Sequence, residues 1–100
     1  MKDYILSENN FNKTLERALY KISAYNIGQK LVIKPESYLR EDLRLDSLDI
    51  MRVIVELETK YSIRTSDERH EKIATVRDLY NLFKDTLNAK NHANMEQKIK

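Results

Sequence analysis

Asp46-Ser47-Leu48-Asp49-Ile50-Met51-Arg52-Val53-Ile54-Val55-Glu56-Leu57-Glu58-Thr59-Lys60-Tyr61 is the stretch that decides the fold class. Leu48, Met51, Ile54, Val55, Leu57 and Tyr61 recur at three- and four-residue steps, and Asp49, Arg52, Glu56 and Lys60 fall on the other side. This period predicts an amphipathic helix from about Ser47 to Tyr61. Ser47 then stands where a loop turns into a helix, between two carboxylates. It has two readings. A helix N-cap is the commoner explanation of an isolated Asp-Ser dipeptide. The other is a hydroxyl offered to an external enzyme, suited to carry a phosphodiester because helix N-termini favour anionic groups. Asp46 and Asp49 would also attract a divalent metal accompanying a phosphate donor.

Upstream, Phe11, Leu15, Ala18, Leu19, Ile22 and Tyr25 keep the helical period. They predict a first helix from about Asn9 or Asn10 to Tyr25, capped by one of those asparagines and stopped at Asn26-Ile27-Gly28. Residues 1–8 read as a short polar lead. Residues 29–46 form a long connection, broken by Lys34-Pro35 and anchored by Leu31, Ile33, Tyr38, Leu39, Leu43 and Leu45. A strand at Leu31-Val32-Ile33 is the competing local reading, with no second strand run evident to pair with it.

Downstream, Asp67-Glu68-Arg69-His70-Glu71-Lys72 suggests a short third helix capped by Ser66 or Asp67. Thr75-Val76-Arg77-Asp78 resembles a capping box with Asp in its fourth position. A fourth helix follows, with Val76, Leu79, Tyr80, Leu82, Phe83 and Leu87 on its apolar side. The pass predicts an all-α domain over residues 1–87, with a short third helix and a long loop between the first and second. Residues 88–100, with Met95 and Ile99 as the only large apolar residues, read as a polar tail that frays or is disordered.

Composition agrees. One hundred residues, 41% hydrophobic and 34% charged, suit one small domain with a modest core. A single Gly and a single Pro favour helices over a β-sandwich. Without cysteine there is no disulfide framework, no thiolate metal site and no cysteine nucleophile. No stretch approaches the roughly 18 apolar residues of a membrane span, and the N-terminus has no secretory pattern, so a cytoplasmic protein is expected. The net charge of +2 is uneven: residues 41–60 hold six acids and three bases, a net of −3, which leaves +5 elsewhere. An acidic segment around Ser47 favours a basic protein partner there and opposes nucleic-acid binding.

Ser47 as a nucleophile would need a base. The two histidines, His70 in a charged run and His92 in the polar tail, are poor candidates, and there is no Gly-x-Ser-x-Gly elbow. Two histidines at this spacing make no convincing metal site either. No enzymatic activity is expected.

The wider segment carries more. Asp42-Leu43-Arg44-Leu45-Asp46-Ser47-Leu48-Asp49, Leu57-Glu58-Thr59-Lys60-Tyr61 and Glu71-Lys72-Ile73-Ala74-Thr75-Val76, at their spacing within residues 38–83, resemble the acyl carrier proteins. Residues 9–37 agree only as one amphipathic helix and one long loop. The resemblance implies a small four-helix bundle. It implies that Ser47 receives 4′-phosphopantetheine from coenzyme A, attached by a holo-carrier synthase (a phosphopantetheinyl transferase) with magnesium. The arm's thiol would hold acyl groups as thioesters for enzymes of fatty-acid, specialised lipid or polyketide synthesis. Asp46, Asp49, Glu58 and Asp67 match acidic positions that meet basic patches on partner enzymes. Leu48, Met51 and Val55 match apolar partner-contact positions, with core packing the competing explanation for Met51 and Val55. A monomer is the family-based expectation.

Some positions depart from the family pattern. Arg44 stands where Gly is usual, Arg52 and Lys60 where acids are usual, Thr65 where an apolar residue is usual and Ser66 where Pro is common. These bases weaken the acidic face and point to a specialised carrier with dedicated partners. The Thr65 hydroxyl needs a hydrogen-bond partner if it is buried. A peptidyl or aryl carrier, or an unmodified helical interaction module, are the alternatives.

Overall fold

The structure, a computed structural model, describes residues 6–22 and 32–99, the stretch from 91 onward by its backbone alone. Among these residues the chain forms four helices: α1 (Glu8–Lys21), α2 (Ser47–Tyr61), α3 (Asp67–His70) and α4 (Val76–Ile99). The apolar faces of α1, α2 and α4 meet in one core, to which α3 adds no buried residue.

α1 begins earlier than the periodicity suggests. Ser7, not Asn9 or Asn10, is the N-cap, and its side chain accepts the Asn10 amide at 3.1 Å. Four polar residues in a row, Ser7-Glu8-Asn9-Asn10, leave several capping frames open, and the apolar residue before them selects one. Leu6 is buried, so the lead before α1 is not wholly polar, and the Tyr80 hydroxyl fixes it by donating to the Leu6 carbonyl at 2.6 Å. α1 ends at Ile22; the expected Tyr25 and Gly28 terminus lies outside the described residues, as does Leu31.

An aromatic cluster joins three helices. Phe11 stacks on Tyr61 at 6.5 Å and meets Tyr80 edge-on at 5.6 Å, and Phe83 lies 6.0 Å from Phe11. Such pairs add about 0.5–1.5 kcal/mol each beyond the area they bury. Phe11, Leu15 and Leu19 from α1, Ile54 and Leu57 from α2, and Leu82 and Phe83 from α4 are fully enclosed.

Residues 32–46 pack as a strap. Leu39, Leu43 and Leu45 are buried, Ile33 is half-buried and Tyr38 is exposed. No strand forms at Val32-Ile33; an isolated bridge pairs Tyr38 with Thr75. The strap also completes the start of α4. The first N–H groups of a helix have no internal partner. Here Val76 donates to the Ser37 carbonyl at 2.9 Å and Arg77 to the Pro35 carbonyl at 2.8 Å. Asp78 donates to Thr75 Oγ1 at 3.2 Å, and the Asp78 carboxylate accepts from the Ala74 and Thr75 amides at 2.9 and 3.1 Å. The Thr75–Asp78 capping box therefore forms as read.

α3 is shorter than Asp67–Lys72, and Ser66 is its N-cap residue without a side-chain cap hydrogen bond. α4 continues to Ile99, beyond Asn88, where the sequence reading has a polar tail begin. Residues 88–99 contain neither Gly nor Pro, and Ala, Lys, Met, Glu and Gln among them are good helix formers.

Candidate functional site

Asp46 sets the geometry at Ser47. Asp46 has extended backbone angles and caps α2, its Oδ1 accepting the Asp49 amide at 2.8 Å. Asp49 Oδ2 accepts the Asp46 amide in return at 3.3 Å, closing a capping box. The cap is thus Asp46 and not Ser47, which frees the serine from the structural role the sequence left open for it. Ser47 is the first residue of α2 and is exposed.

Its hydroxyl has one notable neighbour. Arg40, on the strap, donates from Nη2 to Ser47 Oγ at 2.7 Å. The Ser47 and Leu48 amides take no hydrogen-bond acceptor among the described residues. An exposed serine beside a guanidinium and two amides without acceptors fits a covalently attached phosphodiester, because these donors suit an anion. A guanidinium cannot serve as a general base, so the partner that holds Ser47 offers no route to a nucleophilic alkoxide. Among the described residues no cluster of His, Cys, Asp and Glu suits a metal ion.

The helix faces sort the other site residues. At about 100° per residue, Leu48, Met51 and Val55 lie on one stripe of α2. Their exposures are 60%, 42% and 53%, whereas Ile50, Val53, Ile54 and Leu57 are buried opposite them. The helical period grouped Leu48, Met51 and Val55 with Ile54, Leu57 and Tyr61 in one broad apolar stripe and left out Ile50 and Val53. The buried face is rotated away from that assignment, and the core-packing explanation of Met51 and Val55 fails. Arg52 belongs to the exposed stripe rather than to the polar side. Lys60 lies off the stripe, on the side of α2 that borders α1, where it helps line a small groove with Lys21 and Glu56.

Glu58 and Asp67 do not join the Ser47 end. Glu58 is eleven positions along α2, about 16 Å from the helix start at 1.5 Å per residue. Its Oε2 accepts from both the amide and the hydroxyl of Thr65, each at 2.8 Å. Thr65 is buried, and His70 Nε2 lies 2.6 Å from its hydroxyl. The partner that a buried Thr65 requires is therefore present twice over. Asp67 is fully exposed and reaches His70 Nδ1 at 3.6 Å.

Arg44, two positions before the cap, has φ of 58°. This is the left-handed region that favours glycine, and a side chain there costs about 1–2 kcal/mol. The turn geometry that a glycine would adopt freely is kept, with an arginine in it. Arg40 was missed by the sequence reading, because nothing in the local pattern brings a residue seven positions upstream back to Ser47.

Comparison with known proteins places the segment that contains Ser47 in a known family. Residues 26–83 match the family described as "Phosphopantetheine attachment site". The chain is 51% identical over 47 residues to the acyl carrier protein of Helicobacter hepaticus, a match covering 47% of this chain and 62% of that relative. It is 36% identical over 75 residues to the acyl carrier protein of Buchnera aphidicola, covering 72% and 94% respectively. Among solved structures, the 5-phenyl-3-oxo-pentyl actinorhodin acyl carrier protein of Streptomyces coelicolor superposes with a TM-score of 0.66 at 24% identity, over 89% of this chain and 99% of that one. The fold, the helix start and these matches agree: the chain belongs to the acyl carrier proteins, the family whose attachment domain carries 4′-phosphopantetheine covalently.

Proposed function

We propose that this chain carries acyl groups on a 4′-phosphopantetheine arm joined to Ser47, and that it is a substrate and courier for other enzymes rather than a catalyst. The observation that carries this reading is the freed, exposed hydroxyl at the start of α2, inside the matched segment and beside Arg40. When attached, the arm supplies a terminal thiol that holds an acyl group as a thioester. The chain's own residues supply the setting. Asp46 and Asp49 fix the first turn of α2, Arg40 offers a cationic donor to Ser47 Oγ, and Ser47 itself is exposed to an approaching transferase.

The exposed stripe of Leu48, Met51 and Val55, flanked by Asp46 and Asp49, is the docking face for the transferase and for acyl-handling enzymes with basic patches. A small apolar patch with charged edges suits transient contact, since rim charges steer encounter more than they tighten it. Arg52 on that stripe places a positive charge where a basic partner would meet it, and this supports dedicated partners over general fatty-acid enzymes. Asp67 extends the acidic surface beyond α2, whereas Glu58 contributes by holding Thr65. Residues 1–87 form the carrier unit, working as a cytoplasmic monomer. Among the described residues no helix is long and apolar enough to cross a membrane.

The test is incubation of the chain with coenzyme A, magnesium and a broad-specificity phosphopantetheinyl transferase, followed by intact-mass measurement. Wild type should gain one phosphopantetheine increment and Ser47→Ala none. An unmodified wild type would defeat the reading in favour of a helical interaction module.

A further inference from the structure

We propose that Arg40 holds the phosphodiester at the root of the arm, exchanging its hydrogen bond to the Ser47 hydroxyl for one to the charged phosphoryl oxygens once Ser47 is modified. This inference rests on the assignment of Ser47 as the attachment residue.

Three observations carry it. First, Arg40 already points at the reacting oxygen, with Nη2 2.7 Å from Ser47 Oγ. Second, the guanidinium is uncommitted otherwise. Glu41, Asp42, Asp46 and Asp49 are all close in sequence, yet among the described residues Arg40 makes no ion pair. The Asp42 carboxylate is turned to the Tyr38 amide at 2.8 Å, and Asp46 and Asp49 are engaged in the α2 cap. Third, Arg40 rides on a fixed piece of chain. Leu39, on one side, is buried and its amide donates to the Ala74 carbonyl at 2.9 Å. Asp42 and Leu43 both donate to the Tyr38 carbonyl, at 3.0 and 3.1 Å, and Leu45 donates to the Leu39 carbonyl at 2.9 Å. The backbone that presents Arg40 is therefore set before any modification.

The chemistry gives the direction of the change. Before modification Arg40 donates to a neutral hydroxyl. Afterwards Oγ is an ester oxygen, a poorer acceptor, bonded to a phosphorus whose two free oxygens share a negative charge. The bond to the hydroxyl is charged on the donor side alone, whereas a bond to a phosphate oxygen joins opposite charges, and the guanidinium fork can engage two oxygens at once. The favourable exchange leaves the strap where it is and restrains the first bonds of the arm. Arg40 is in this sense a positioning residue: it sets the direction in which the arm leaves α2 and takes no part in thioester chemistry.

The experiment compares wild type, Arg40→Met and Arg40→Lys before and after conversion, with conversion verified by intact mass. The readouts are the Arg40 Nε–H resonance in the wild type and the phosphorus resonance of the converted proteins. Conversion of wild type should shift the Arg40 signal. The phosphorus signal of Arg40→Met should be displaced from wild type, with Arg40→Lys between them, and the displacement should shrink at about 1 M salt, where screening acts over roughly 3 Å. Melting curves of the unconverted variants should match wild type, since Arg40 is exposed. A converted wild type with an unmoved Arg40 signal, or one phosphorus position common to all three proteins, would overturn the Arg40 inference and leave the attachment residue standing. A wild type that cannot be converted would overturn both.

Discussion

Replacing Asp46 separates the two jobs of the α2 start, holding the helix and presenting charge. In Asp46→Ala the acceptor for the Asp49 amide, now at 2.8 Å, disappears. Losing an N-cap side chain costs about 1 kcal/mol, within a range of roughly 0.5–2. Removing a negative charge from a helix N-terminus costs about 0.3–1 kcal/mol more at an exposed site. The expected loss is about 1–2 kcal/mol, which for a domain of this size lowers Tm by roughly 5–12 °C. Asp46→Asn keeps an oxygen at the same place and caps about as well, so only the charge contribution is lost and Tm should fall by a few degrees at most. If a basic partner reads the carboxylate, both variants should be converted by the transferase more slowly than wild type by about 1.5- to 5-fold, the value of one exposed charge pair. The assays are thermal melting by circular dichroism and a timed conversion followed by mass. Equal loss of stability in the two variants would refute the capping argument. Conversion of Asp46→Asn at the wild-type rate would refute the role of its charge.

Three further outcomes follow from the same structure. At Asp78, burial raises the carboxyl pKa, but hydrogen bonds from the Ala74 and Thr75 amides and the Thr75 side chain outweigh it, so the folded value lies below the ordinary one. Its stabilising contribution is complete above the unfolded carboxylate range and is lost as pH falls through the depressed folded value; acid titration of stability should therefore be shallower for Asp78→Asn than for wild type. Arg44→Gly should leave stability unchanged or raise it by up to about 1 kcal/mol, because relief at φ of 58° opposes the usual cost of glycine, and denaturant melts compare the two. Thr65→Val keeps the shape but strips the hydroxyl between Glu58 and His70, and should cost about 1–3 kcal/mol through the unpaired groups left behind; a neutral result in denaturant melts would show that the Thr65 hydroxyl adds nothing to stability.

Some of this architecture was written locally and some was not. The Ser47–Tyr61 helix was legible to the residue because its boundaries rest on neighbours: Asp46 caps it, and Ser62 ends it in a left-handed conformation with φ of 56°. The Thr75–Asp78 box was legible for the same reason. The start of α1 was not, because the buried position of Leu6 depends on Tyr80, far along the chain. The inward face of α2 was legible only in part, because seven apolar residues in the first eleven permit more than one stripe, and packing in the core buries Ile50 and Val53 while Leu48 and Met51 stay exposed. Ser47, the proposed attachment residue, could be picked out from its flanking carboxylates together with the resemblance of the wider segment. Arg40 could not, since its approach to Ser47 exists only once the strap has folded onto the start of α4.

The most direct measurement is tandem mass spectrometry of the tryptic peptide Leu45–Arg52 from protein made in its native host, where Ser47 is the peptide's sole hydroxyl residue. Fragments bearing phosphopantetheine on Ser47 are the result expected. A bare Ser47 throughout that material, or the group found on another residue of the chain, would contradict the account.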